Sequence, residues 1–379
     1  MVPYIIVFSI TSFFTYLASR SLKENKKNKG IIYIILSILV LSVFAALRND
    51  DIGKDIPVYV LPQYNWAKAL DFLQYMNVGT MEYGYKVFVY IITLIFNDYH
   101  WILFFLEAIV CTNIYFFAYK QRNSLSIMVI IYLYLCLCYN DTFTMMRQYV
   151  AISFILLSIM YLLERKYINT FILFLLAISF HTTAIISVII YIVILINNSR
   201  KFLGNSKKFL SIVTLMIFSI CIVFYQEIIY FFTYTVQLFP SRIYSYFTSS
   251  YYTEEINIST FGLIFKLLCI FITMIYIKYN NKNTNKMIFF VLLLMDFEIY
   301  LISARLNPLL RLGYYFYYPS IFYILADIHT IIKKDKYNIS AINLLLFVSL
   351  TFYWFYTFVL YGSGGNTVPY ESTIINNLL

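Results

Sequence analysis

Arg20-Ser-Leu-Lys-Glu-Asn-Lys-Lys-Asn-Lys29 is followed, after Gly30, by Ile31-Ile-Tyr-Ile-Ile-Leu-Ser-Ile-Leu-Val-Leu-Ser-Val-Phe-Ala-Ala-Leu47. A basic loop thus leads into an uncharged apolar run long enough to cross a bilayer, which needs roughly 17–25 residues. The same alternation recurs along the chain. Of the 28 Lys and Arg residues, nineteen fall in six short loops: Arg20 to Lys29, Lys120/Arg122, Arg165/Lys166, Arg200 to Lys208, Lys278 to Lys286, and Lys333 to Lys336. Short loops rich in Lys and Arg stay cytoplasmic, so these loops set the expected topology. Arg48, Arg147, Arg242, Arg305 and Arg311 then fall at the opposite, external face. Arginines kept there against the charge bias point to an anionic ligand on that side.

At 379 residues, 61% hydrophobic and a mean hydropathy of +0.76, the chain is not a soluble domain with an ordinary polar surface. Apolar stretches lie near 3–19, 31–47, 84–97, 99–119, 125–139, 146–163, 168–180, 182–197, 209–225, 260–277, 287–303, 313–328 and 340–360. In lipid the backbone must satisfy its own hydrogen bonds, so these are expected to be helices. The expected fold is therefore an all-α polytopic membrane protein, with about 12 crossings plus re-entrant or interfacial helices. It forms a single integral membrane domain over 1–379, and its first apolar block reads as a retained helix, not a cleaved signal. The net charge of +10 is explained by cytoplasmic loops facing anionic lipid, without nucleic acid. Cys111, Cys136, Cys138, Cys221 and Cys269 lie in apolar helices, and Cys136-x-Cys138 lacks zinc spacing. No nucleotide loop or HExxH pair is present, so no metal and no cofactor are expected.

Two longer external stretches, 48–83 and 226–259, separate the apolar blocks. The first contains Trp66-Ala-Lys-Ala-Leu-Asp-Phe-Leu-Gln-Tyr-Met76, whose apolar spacing predicts a helix lying in the membrane interface. Parity requires 84–119 to make one net crossing, so 84–97 is expected to be re-entrant or interfacial. Parity also makes 168–180 and 182–197 a short out-and-back pair with His181 at its tip.

Several residues carry the potential for chemistry. In Arg48-Asn-Asp-Asp-Ile-Gly-Lys-Asp-Ile-Pro-Val-Tyr59, Gly53 permits a tight turn that brings Arg48 and Asp55 toward one point. A guanidinium fork suits phosphate and a carboxylate can take a hydroxyl proton; the alternative is a capped loop with a salt bridge. Glu82-Tyr-Gly84-Tyr85 puts an acid at a helix mouth, where a cap is the plain reading. Arg147-Gln148 opens an otherwise apolar helix, and His181 in Ser179-Phe-His-Thr-Thr-Ala184 is a titratable group within a membrane segment. Asp296 and Glu298 interrupt an apolar run and must face the protein interior, with Arg305 the helix-spaced ion-pair partner. Arg305 and Arg311 flank the helix break Leu306-Asn-Pro-Leu-Leu310, and Arg311-Leu-Gly-Tyr-Tyr-Phe316 sets a guanidinium beside aromatics. Gly362-Ser-Gly-Gly365 reads as a hinge before Val368-Pro-Tyr370, which either folds over a cavity or frays.

Taken in order, Arg48…Gly53-Lys-Asp55…Tyr59, Glu82-Tyr-Gly84-Tyr85, Arg147-Gln148…Ala151, His181-Thr-Thr183-Ala184, Arg311…Tyr315-Phe316 and Pro369-Tyr370 resemble the EpsG family of bacterial polysaccharide polymerases, related in role to Wzy-type O-antigen and capsule polymerases. Thr183 departs from the family pattern, in which Ser is more usual. The resemblance implies a GT-C-like helical bundle in the bacterial cytoplasmic (inner) membrane, with its site toward the periplasm or exterior. It implies a glycosyltransferase that moves a growing glycan from undecaprenyl diphosphate onto the next lipid-linked repeat unit. Asp55, Glu82 or His181 would supply the base. Arg48, Arg147 and Arg311, with Tyr315 and Tyr370, would hold diphosphate or sugar; Arg242 and Arg305 join them by charge alone. A flippase and a chain-length regulator are the expected protein partners. An O-antigen ligase-like transferase and a lipid-linked oligosaccharide flippase are the alternative readings, and the flippase lacks the internal repeats it would call for. An acyltransferase using His181 has no need for five external arginines.

Overall fold

The structure is a computed structural model that describes residues 1–198, 215–220, 223–230, 234, 259–279, 285–303, 307–334, 339–362 and 367–376. Arg242, Arg305, most of the 226–259 stretch and Ser363 to Gly365 lie outside the described residues. Those described are helical, with no strand among them. Among the described residues, four helices are long and apolar enough to cross a membrane: α1 (Val2–Lys23), α2 (Lys27–Ala46), α6 (His100–Lys120) and α8 (Met146–Leu163). Before α6 come α3 (Leu61–Ala69), α4 (Phe72–Asn77) and α5 (Tyr83–Ile95); α7 (Ile127–Leu137) lies between α6 and α8. After α8 come α9 (Tyr167–Phe180), α10 (Ser187–Asn198), α11 (Tyr225–Tyr230), α12 (Thr260–Tyr279), α13 (Asn285–Ser303), α14 (Asn307–Lys334), α15 (Ile339–Trp354) and α16 (Thr373–Asn376).

The backbone groups into two compact units. Unit 1 comprises Met1–Tyr161, Lys166–Ala184 and Leu325–Leu379, and unit 2 comprises Leu162–Arg165 and Ile185–Ile324.

In unit 1, α1 and α2 pack antiparallel across the basic turn at Glu24 to Lys26, and α6 packs on α2. Thr15 Oγ1 lies 2.6 Å from Tyr115 Oη, a buried hydroxyl pair that fixes the level of α6 against α1. Apolar side chains such as Ile5, Phe13, Ile32 and Ile35 remain exposed, as expected of helices that face lipid.

Two expectations are corrected here. Within the 125–139 block, α7 has 11 residues, about 16 Å at 1.5 Å per residue, and is buried almost all round. It ends because the chain turns at Tyr139 and Asn140, where Asn140 Oδ1 accepts Trp354 Nε1–H at 2.7 Å and its Nδ2 donates to Thr367 Oγ1 at 3.1 Å. The amphipathic run 66–76 is two helices, not one. Asp71 breaks it, its carboxylate accepting the Gln74 N–H at 2.9 Å as an N-cap. The stretch at 367–376 neither frays nor swings free. Tyr370 stacks on Phe44 at 3.9 Å and donates to Phe44 O, while Asn49 exchanges bonds with Glu371 and Thr373.

Helix α5 packs against α3, α4 and α9. Its first residues follow Glu82, which pairs with Arg147 at the start of α8. Just beyond its last, Asn97 accepts from Lys68 at 2.5 Å and Tyr99 bonds Asp50. The buried Lys86 ammonium donates to Met76 O and Val78 O, both at 2.7 Å, closing the turn after α4. The short pair around His181 also takes the expected lengths, α9 with 14 residues and α10 with 12.

Arg48 organises the turn out of α2. Its side chain is fully buried and donates to Ala45 O and, at 3.1 Å, to Ile52 O, with its guanidinium 4.3 Å from the Phe143 ring centre. Gly53 follows at φ +90°, so close to the next segment that a Cβ there would meet Phe143 O at 2.2 Å.

Two stability predictions follow from this turn. Gly53→Ala combines left-handed strain with a backbone clash and should cost at least about 2 kcal/mol. Thermal unfolding of the purified protein in detergent reads this directly, and an unchanged midpoint would dismiss the close approach. Arg48→Lys keeps the charge but loses the planar fork, so it should cost about 1–3 kcal/mol of lost hydrogen bonding and lower the same midpoint. A lysine variant as stable as the parent would show that the two carbonyls need no guanidinium.

Candidate active site

The first turn of α8 carries the most developed constellation in unit 1. Met146 N–H donates to Asp55 Oδ2 at 3.1 Å, so the carboxylate caps the helix that presents Arg147. Arg147 is ion-paired to Glu82, with side chains only 12% and 10% exposed. Its guanidinium lies 4.4 Å from the Tyr59 ring centre and 5.4 Å from that of Tyr85. A delocalised cation between aromatic rings is better stabilised than an ammonium there. The second oxygen of Glu82 accepts Thr182 N–H at 3.3 Å.

Five segments therefore meet: the turn after α2, the π-helical turn Ile56–Val60, the start of α5, the start of α8 and the end of α9. Gly84 makes this approach feasible, since a Cβ there would fall 2.3 Å from Ser179 Oγ. Glu82 occupies the N-cap position of α5 but makes no cap bond with its side chain. Its carboxylate is directed to Arg147 and Thr182 instead, so the plain capping role does not describe it.

Of the predicted residues, Asp55, Glu82 and Arg147 come together, and His181 adjoins them through the Thr182 backbone. His181 Nδ1 lies 2.6 Å from Thr183 Oγ1, so the hydroxyl retained at position 183 orients the imidazole. Arg48 instead holds the turn below Asp55 through backbone carbonyls. Tyr370 is packed at the end of α2. In unit 2, Arg311 is exposed near the start of α14 and Tyr315 is fully buried.

Three charged residues of the interior were not singled out from the sequence. Glu107, in mid α6, is buried among Tyr134, which donates to it, Thr142 Oγ1 at 2.7 Å and Cys111 Sγ at 3.3 Å. It lines a small crevice with Arg48, Leu103, Leu106, Val110, Thr142 and Met146. Lys266, in α12, pairs with Asp296 of α13, and its ammonium lies 4.2 Å from the Tyr317 ring centre and 5.0 Å from that of Tyr300. Asp296 thus faces inward as expected, but its described partner is Lys266; Arg305 lies outside the described residues. Glu298 accepts from Ser219 at 2.9 Å. Lys86 is the third. The signal for all three was a charge inside an otherwise apolar helix, the same cue that marked Asp296.

Comparison with known families gives one match, the EpsG family, over residues 31–372. No curated protein and no solved structure matched the chain. The match takes in most of the chain, from the start of α2 to the stretch that docks back onto its end, and the chain belongs to the EpsG family, a polysaccharide polymerase-like family.

Proposed function

We propose that this protein polymerises undecaprenyl-diphosphate-linked oligosaccharide repeat units at the external face of the bacterial cytoplasmic membrane. The carrying observation is the clustered Arg147, Glu82, Asp55 and tyrosine pair, gathered from separate segments at one end of unit 1. Family membership and the apolar helices support a membrane polymerase of polysaccharide, and the lipid-linked substrate is our extension of that reading. About twelve crossings in a GT-C-like bundle is the architecture we propose for it.

The chemistry asks for little beyond what the cluster supplies. Cleavage of the anomeric bond to a lipid diphosphate builds negative charge on the departing oxygen, and a guanidinium fixed in a low-dielectric setting stabilises that charge. An acceptor hydroxyl needs a base, for which Glu82, Asp55 and His181 are the candidates. Aromatic faces such as Tyr59 suit the apolar face of a sugar ring. Arg311, exposed on unit 2, is kept as a proposed contact for lipid-linked glycan, and the fully buried Tyr315 is assigned to packing. Arg48 is assigned to scaffolding, because its donors engage Ala45 O and Ile52 O. The activated donor supplies the driving force.

The test is reconstitution of the full chain in liposomes with a lipid-linked repeat unit, followed by sizing of the glycans. Ladders of rising length support polymerisation, whereas translocation without new glycosidic bonds would establish a flippase instead. Arg147→Ala should lower elongation by at least about 10²-fold, the usual effect of losing a donor to developing charge. Arg147→Lys should fall between the two because the charge stays but the fork is lost. Chain growth unchanged in Arg147→Ala would remove this residue from the site.

A further inference from the structure

The Arg147–Glu82 pair has a property that a finished structural salt bridge lacks. Arg147 Nε is buried and makes no hydrogen bond among the described residues. Beside it, Tyr85 is 0% exposed, and its hydroxyl is likewise buried without a hydrogen-bond partner among the described residues. Buried donors are ordinarily satisfied, and each one left open is costly. Two open donors on adjacent side chains, one on a cation, mark a place for an acceptor-rich anion. Glu82 covers one edge of the guanidinium, and among the described residues its other oxygen is held by Thr182 N–H alone, at 3.3 Å.

We propose that Glu82 is a resting counter-ion that the lipid diphosphate displaces from Arg147, and that the displaced carboxylate becomes the base for the acceptor hydroxyl. The inference rests on the polymerase reading above and deepens it by joining donor binding to base release. Phosphate oxygens would engage the guanidinium edge now facing Glu82, together with Arg147 Nε–H and the Tyr85 hydroxyl. Glu82 then loses its strongest partner, and in the same event its carboxylate is freed to face the acceptor hydroxyl. In the reaction, the acceptor O–H proton passes to Glu82 and the acceptor oxygen forms a bond to the anomeric carbon. The anomeric carbon–oxygen bond to diphosphate breaks, and its electron pair leaves with the diphosphate on Arg147. The proton is afterwards released from Glu82 to water. The other two base candidates are held by the scaffold: Asp55 caps α8 through Met146 N–H, and His181 is oriented by Thr183. With no diphosphate bound, the carboxylate is neutralised, so an empty site activates neither water nor acceptor.

The displacement carries a sign that a simple binding role would not. Glu82→Gln preserves the side-chain shape and an oxygen for Thr182 N–H but removes the competing charge. Binding of undecaprenyl diphosphate and of inorganic pyrophosphate to the full-length variant in detergent should tighten, by about tenfold. Chain growth should be lost. Tyr85→Phe keeps the packing and removes an unpartnered hydroxyl, so its unfolding midpoint should hold or rise while pyrophosphate binding weakens several-fold. Phosphatidylglycerol vesicles serve as the control for a phosphate of bulk lipid, and should not compete with pyrophosphate. Equal or weaker pyrophosphate binding in Glu82→Gln overturns the displacement, as does unchanged binding in Tyr85→Phe. Competition by phosphatidylglycerol would reassign the site to membrane lipid. If the parent protein builds ladders yet Glu82→Gln fails to bind tighter, only the latch is lost. If the parent builds none from lipid-linked units, the polymerase reading itself falls.

Discussion

A guanidinium placed where water is scarce must find acceptors, because it does not shed its proton within a protein. Unit 1 is built around two such groups, linked where Arg48 Nη2 reaches Met146 Sδ at 3.2 Å, next to Arg147 in the chain, and they are satisfied in different ways. Arg48 is closed off by backbone carbonyls at Ala45 and Ile52, with the Phe143 ring against its face and Glu107 across a small crevice. That arrangement fixes the turn after α2, puts Gly53 against Phe143 and sets Asp55 beneath the first N–H groups of α8. Arg147 inherits its position from this chain of contacts. Its acceptor is a side chain and not a carbonyl, so it is the arginine whose partner can be exchanged.

The same rule governs unit 2. Lys266 and Asp296 would each be costly alone in an apolar helix, and they meet between α12 and α13 with tyrosine rings against the ammonium. Small residues make room for this. A Cβ at Gly313 would lie 2.7 Å from Asp296 Oδ1, and one at Gly262 would lie 2.5 Å from Tyr300 Oη. Gly313 sits two residues beyond Arg311, so the ion pair braces the part of α14 that carries that arginine. Charge inside these helices thus sets how they pack before it does anything else.

The chemistry proposed for one end of unit 1 follows from the difference between the two arginines. Oxygen-rich leaving groups need a cation that is held rigidly and still open at an edge. Stacking by Tyr59 and Tyr85 supplies rigidity without using up hydrogen-bond donors. On the proposed reading, a carboxylate opposite keeps the site neutral until an anion arrives. Activity in the family would then depend less on the count of external arginines than on which of them keeps a replaceable partner.

Length of apolar runs and placement of Lys and Arg determined, from the sequence alone, that the chain is helical and membrane-embedded, because lipid leaves the backbone no other option. Ordered short motifs also identified the family, since the residues of a site recur in a fixed order along the chain. Asp55, Glu82 and Arg147 were legible as candidates for this reason. The sequence did not determine how each charge is satisfied, because hydrogen-bond partners come from distant segments. Arg48 and Arg147 look alike as isolated residues after and before an apolar run, yet one is locked to carbonyls and the other to Glu82. Glu107 and Lys266 carried the same cue as Asp296 but had no neighbour in sequence to give it meaning. Asp71 acted through a three-residue cap that the apolar period concealed. Tyr370 reached its place by stacking on Phe44, more than three hundred residues earlier in the chain. Tertiary structure decided these points because burial, not residue type, selects which polar groups must be paired and which remain open to a ligand.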